Sequence, residues 1–216
     1  MAKNFESLFP KELVFGKFLP ETAEDFDIVQ VGNTEQADEQ FKKTAHNLTQ
    51  QFALVPQKIK EACLVHVLKT AKVKTNQQFI VFTSTCRNCH FLAMFLNELG
   101  FEVSMLHSQL TQRKRIANLA KFKSQRVKIL VATDVASRGL DIPKVEFILN
   151  FDVPMSPKDY VHRVGRTARA GRGGRALTFV TQFDVKLILA AEEYIKTKLE
   201  ATELDEKEAI SDINHL

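Results

Sequence analysis

Residues Lys128 to Arg175 read KILVATDVASRGLDIPKVEFILNFDVPMSPKDYVHRVGRTARAGRGGR. The apolar run Ile129-Leu130-Val131-Ala132 breaks into Thr133-Asp134, with Arg138, Gly139 and Asp141 close behind. A second apolar run, Val145 to Phe151, follows. Short runs that are nearly all apolar, instead of alternating in polarity, belong to strands buried on both faces of a parallel sheet. Beyond them Ser156-Pro-Lys-Asp159 offers a capping box with proline at the first helical position, so a short helix starts there and ends near Gly165. Five cations, Arg163, Arg166, Arg169, Arg172 and Arg175, then fall within thirteen residues without an acidic partner.

The same alternation extends outward. Upstream, Leu48 to Val55 has strand composition, and Pro56 can open a helix to about Lys72. Gln78 to Thr83 reads as a buried strand, and Ser84 or Thr85 caps a helix that Gly100 terminates. Phe101 to Leu106 is a strand, Thr111 to Lys123 a helix and Val127 to Ala132 a strand. Downstream, Ala176 to Val180 is the last strand, and Thr181-Gln-Phe-Asp184 is a second capping box opening a helix of roughly 18 residues. Strands alternating with helices predict an α/β, doubly wound parallel sheet with helices on both faces, and such folds bind ligands beyond the carboxyl ends of their strands. That rule would gather Thr83, His107, Thr133 and the loop after Phe151, and with them both polar clusters, at one edge.

Composition bounds the function. With 216 residues, 44% hydrophobic and 26% charged, the chain suits one globular domain and a remainder. The net charge of +4 is modest, so the arginine row marks a local anion site on a protein that is not broadly basic. Three cysteines cannot all pair, and the N-terminus lacks a secretory pattern, which points to a reducing compartment. No apolar run approaches the roughly 20 residues a bilayer requires, and the Asn47-Leu48-Thr49 sequon is then an accident of sequence. Cys86-Arg-Asn-Cys89 falls short of a structural zinc site, which needs four ligands, and reads as two reduced thiols at a helix start.

The anion-binding candidates differ in kind. Thr133-Asp134 stands at a strand-to-helix turn, which suits either a phosphate oxygen or nothing more than a capped helix. Gln112 and Arg115 share a helix face with Arg113 and Lys114 nearby, either as a solvated basic surface or as phosphate contacts. The row from His162 to Gly174 is more specific, because lysine would serve a solvated surface equally well, whereas planar forked donors suit polyphosphate.

Taken together these residues resemble a known family. VATDVASRGLDIP is similar to motif V, and HRVGRTARAGRGG to motif VI, of the second RecA-like domain of DEAD-box RNA helicases. Phe79 to Thr83 resembles motif IV, and His107 with Gln112-Arg-Lys-Arg115 resembles the QxxR motif, so the likeness covers about residues 47 to 200. It implies that Arg166 and Arg169 are arginine fingers reaching ATP held by the first domain, and that His162 and Arg163 contact that domain's catalytic motifs. It further implies that Asp141, with Gly139 beside it, binds the ATP ribose, and that Thr133, Gln112, Arg115 and His107 lie against RNA, held by its backbone and told from DNA by the 2′-OH. Ala168 and Ser108 stand where glycine is common in the family.

No G-x-x-x-x-G-K-[ST] and no Asp-Glu-Ala-Asp occurs in the chain, so the phosphate cradle and the ligands for Mg2+ are expected on a first RecA-like domain outside it, and the fragment alone is expected to be inactive. Residues 1–46 are expected to be the last piece of that domain plus a linker, 47–200 the helicase C-terminal domain, and 201–216 a polar tail. The scaffold around TQQFALVPQKIKEACLVHVL and LILAAEEYIKTKLE is similar to nucleolar helicases of ribosome assembly, which implies rRNA processing, a nuclear location with cytoplasm as the alternative, and a ribosome-assembly protein as partner. Two other readings stand beside this one: a module that binds RNA or protein without catalysis, and a related DNA translocase.

Overall fold

A computed structural model describes residues 48–74, 77–137, 141–143, 145–167 and 173–214. The segment 1–46 and the sequon residue Asn47 lie outside these. Strands β1 (Leu48–Leu54), β2 (Phe79–Thr83), β3 (Val103–Leu106), β4 (Ile129–Thr133), β5 (Phe147–Asn150), β6 (Gly174–Val180) and β7 (Glu200–Ala201) form one sheet in the order β3-β4-β2-β5-β6-β1-β7. Every pairing in it is parallel. The helices are α1 (Lys60–Lys74), α2 (Cys86–Glu98), α3 (Gln112–Lys123), α4 (Asp134–Ser137), α5 (Pro157–Val164), α6 (Val185–Ile195) and α7 (Glu206–Asn214).

The unbroken apolar runs have the physical cause expected of them. Phe79, Val81, Ile129, Val131, Phe147 and Leu149 face a core closed by α1 and α2, while Ile80, Phe82, Leu130, Ala132 and Ile148 face a second core closed by α3, α5 and α6. Each strand therefore needs apolar residues at both parities. Caps fix the helices that matter to function. Thr85 Oγ1 accepts the Asn88 N–H at 3.1 Å, Thr111 Oγ1 that of Lys114 at 3.4 Å, and Ser156 Oγ that of Asp159 at 3.2 Å. Gly100 takes φ +79°, which closes the turn from α2 into β3.

Three local expectations change. Pro56 precedes a single 3-10 turn, Gln57–Ile59, and α1 itself begins at Lys60. The Thr181–Asp184 box is a turn, not a helix start: Asp184 Oδ2 accepts from both Thr181 N (3.0 Å) and Thr181 Oγ1 (2.6 Å), and α6 begins only at Val185. That helix has 11 residues and stops where Lys196 turns left-handed at φ 56°. The residues expected as a polar tail contribute β7, which joins the sheet beside β1, and α7, which buries Ala209 completely against α1. Asp212 on α7 meets His66 Nδ1 at 2.8 Å and Lys69 Nζ at 3.3 Å.

The sheet has two free edges, and both are blunted. β7 is two residues long. Along β3, Asn118 Nδ2 from α3 donates to Met105 O at 2.9 Å, and Asn97 Oδ1 from α2 faces Val103 N at 3.4 Å.

Candidate nucleic-acid and nucleotide surfaces

Parallel register brings three strand ends into line. Thr83 pairs with Thr133, and Leu106, just before His107, pairs with Ala132. Thr133 and His107 are 4% and 3% exposed, yet among the described residues Thr133 Oγ1 and both ring nitrogens of His107 have no hydrogen-bond partner. Buried polar atoms without partners are costly, so they mark where a ligand or water belongs. Burial, and next to it the charge of His90, hold the His107 imidazole below its ordinary range. On the first turn of α3, Arg115 Nη1 donates to Gln112 Oε1 at 3.1 Å, so these two expected RNA contacts, the glutamine exposed and the arginine half-buried, form one unit beside the same edge.

Arg163 occupies a different position from the one implied for it. It lies 2% exposed at the centre of a polar network under the carboxyl ends of the strands. Its Nε and Nη2 grip Asp134 Oδ1 and Oδ2 at 2.6 and 2.7 Å, and its Nη1 donates to Asp152 O at 2.6 Å and Asn150 Oδ1 at 3.3 Å. The guanidinium also lies 5.2 Å from the Phe82 ring centre. A fork so fully engaged is an internal strut that ties α5 to α4. Its signal in the sequence is position: Arg163 follows Tyr160 by three residues on the buried stripe of α5, whereas Arg166 lies beyond the helix end.

Two residues that sequence reasoning missed extend the strut. Lys60, 2% exposed, donates to Asp152 Oδ1 at 2.9 Å and lies 4.4 Å from the Phe151 ring centre. The other carboxylate oxygen, Asp152 Oδ2, accepts from Ser84 N at 2.9 Å and Ser84 Oγ at 3.0 Å, which fixes the entry to α2. Burial presses the Asp152 carboxyl upward, but Lys60 and Ser84 more than offset this and hold it below the usual carboxylate range. Nothing in the spacing of Lys60 announces a buried cation.

The arginine row does not share the strands' carboxyl edge throughout. α5 starts there and runs back, so that Arg166 O accepts from Val145 N at 2.9 Å and Thr167 Oγ1 donates to Val145 O at 2.7 Å, ahead of the start of β5. Arg166 is thus delivered to the amino edge, half-buried and with no side-chain partner among the described residues. Asp141 lies near the C-terminus of α3, its carboxylate 93% exposed and 2.7 Å from Lys123 Nζ. His162 is exposed, with Nδ1 4.0 Å from Asp159. Gly139, Arg169 and Ala168 lie outside the described residues. The single crowded site expected from the sheet rule is therefore two surfaces, with Thr133, His107, Gln112 and Arg115 on one and Arg166 with Asp141 on the other, joined through α5. A free guanidinium and an outward carboxylate fit a nucleotide approaching from outside the chain.

Known proteins resemble the chain in sequence and in fold. The model of the helicase conserved C-terminal domain matches residues 59–171. The protein "Probable ATP-dependent RNA helicase DDX49" of Homo sapiens is 49% identical over 168 residues, which cover 77% of this chain and 35% of the relative. The chain thus spans about a third of the length of the curated relatives it matches. Among solved structures, the E. coli DEAD-box protein SrmB bound to regulator of ribonuclease activity A superposes with TM-score 0.68 at 39% identity, over 74% of this chain and 92% of that one. S. cerevisiae Dbp5 bound to RNA and ADP BeF3 superposes with TM-score 0.67 at 28% identity, over 77% of this chain and 46% of that one. The chain belongs to the family of helicase conserved C-terminal domains, of the kind found in DEAD-box RNA helicases.

Proposed function

We propose that this chain is the closing half of an ATP-dependent RNA helicase core, in which the carboxyl edge of the sheet holds RNA backbone and the amino edge completes the site for an ATP carried by a first RecA-like domain. The observation that carries the reading is the pairing of an edge lined by buried polar atoms, Thr133 Oγ1 and the His107 ring, with Arg166 at the opposite edge, none of these side chains having a hydrogen-bond partner among the described residues. On this reading Arg166 and Arg169 stabilise the charge that develops on the transferred phosphoryl group, Asp141 with Gly139 meets the ribose, and Mg2+ stays with the first domain. His162, exposed at the end of α5, faces the first domain, whereas Arg163 acts within this one.

The test supplies a first RecA-like domain in trans and measures RNA-stimulated ATP hydrolysis. Arg166→Ala is expected to lower it by about 10³-fold, the scale of an arginine finger. Unchanged hydrolysis would reject the finger assignment, and no hydrolysis with any first domain would favour a binding module without catalysis.

The finer reading is a nucleolar enzyme of rRNA processing that works with a ribosome-assembly protein. It is supported by the scaffold resemblance around residues 49–68 and 187–200, and a SrmB structure with a bound protein regulator makes a protein partner reasonable. A fluorescent fusion of the full-length protein that stays out of the nucleolus would count against it.

A further inference from the structure

Cys86 opens α2, directly after the capping residue Thr85, and its Sγ lies 3.3 Å from Ser108 Oγ in the turn that follows β3. It is half-buried, unlike Cys63 and Cys89, which are 1% and 0% exposed. The Cys89 thiol points into the core, 3.3 Å from Val131 O, so the two cysteines of the C-x-x-C pattern face different surroundings.

A second observation concerns the same corner. The neighbour of Ser108 is His107, 3% exposed with neither ring nitrogen partnered among the described residues, and its ring sits edge-on to His90 at 5.7 Å between centroids. His90 follows Cys86 by one helical turn, so thiol and orphaned imidazole address the same stripe of α2. The environment also favours the reactive form of the thiol. The Ser108 hydroxyl above all, and the backbone N–H groups of Ser108, Gln109 and Cys86, pull the Cys86 pKa down, whereas burial pushes Cys63 up to about 11 and Cys89 to about 12.

We propose that Cys86 is a thiol-modification site set within the RNA edge, where it forms a mixed disulfide with a low-molecular-weight disulfide and the adduct excludes RNA from His107 and Thr133. The Cys86 thiolate attacks one sulfur of the incoming disulfide. One S–S bond forms as the other breaks, Cys86 is oxidised, and the departing half leaves as a reduced thiolate that takes up a proton, so no further oxidant is needed. A free thiol reverses the step. The exclusion rests on the RNA reading given above, whereas the modification itself does not.

The test treats the whole chain with glutathione disulfide under native conditions and follows intact mass, peptide mapping and binding of a single-stranded RNA oligonucleotide. One adduct is expected, on Cys86, formed at least about tenfold faster than at Cys63 or Cys89 and slowed when RNA is present. The adduct is expected to weaken RNA binding about tenfold or more, with recovery on adding dithiothreitol. Cys86→Ser should give no adduct, and its RNA affinity should no longer respond to the disulfide. Equal labelling of all three cysteines, or none at Cys86, would overturn the modification site. An adduct that leaves RNA affinity unchanged would overturn the exclusion. If the untreated chain binds no RNA, the RNA reading falls, and the mass spectrum still decides the chemistry at Cys86.

Discussion

Arg163 and Arg166 are three residues apart, carry the same side chain, and do opposite kinds of work. Removing the guanidinium of Arg163 deletes both of its bonds to Asp134 and uncaps Asp152 O, so Arg163→Ala is expected to cost about 3–5 kcal/mol in urea unfolding, the range for breaking a buried pair. Arg163→Lys restores the charge without the fork and should recover only part of that loss. Arg166→Ala should leave the unfolding free energy within about 0.5 kcal/mol, as the loss of a side chain with no partner among the described residues does. The sequence made both legible as phosphate ligands, because a row of arginines looks alike until helix phase assigns each one to core or rim. Asp152 shows the same limit: no motif marks it, yet Lys60 and Ser84 converge on it. Its folded pKa lies below the unfolded value of 3.8, so the stability it lends is full above that value and is lost as pH falls through the lower folded one. Asp152→Asn should flatten this acid limb in a denaturation series run from neutral to low pH.

Elements were legible where local chemistry decides them. Thr85, Thr111, Ser156 and Gly100 each act where their residue type places them, and the apolar strands stand in a two-sided core. The chain after residue 200 was not, because a helix with one apolar stripe among acids reads like solvated sequence until α1 is seen to offer its partner surface. Ala209 is fully buried in the core closed by α1, so Ala209→Leu is expected to destabilise by about 1–3 kcal/mol through overpacking, and hydrogen exchange should show faster opening of α1. Lys196 closes α6 in a conformation that favours glycine, and Lys196→Gly should raise the melting midpoint by relieving a strain of about 1 kcal/mol.

At the scale of the molecule, the proposed function separates binding from chemistry. A backbone-reading surface should hold oligonucleotides of different base sequence with similar affinity, and log K should fall linearly with log salt by about 0.7 for each phosphate neutralised on a single strand. Arg115→Ala is expected to lessen that slope by about one such step in a fluorescence-anisotropy titration, equally for every sequence tested. Matched RNA and DNA strands at one salt concentration would show whether the 2′-OH is read. The order of the strands bears on a different matter, that of self-association. A parallel sheet whose terminal strands were long and bare would be a template for further chains, and a protein built to close on a partner would instead polymerise. Here β7 offers only two residues, and Asn97 and Asn118 reach across from opposite layers to occupy the rim of β3. Two asparagines thereby take up backbone groups along β3 that a further strand would need, which leaves little of that rim open to another chain.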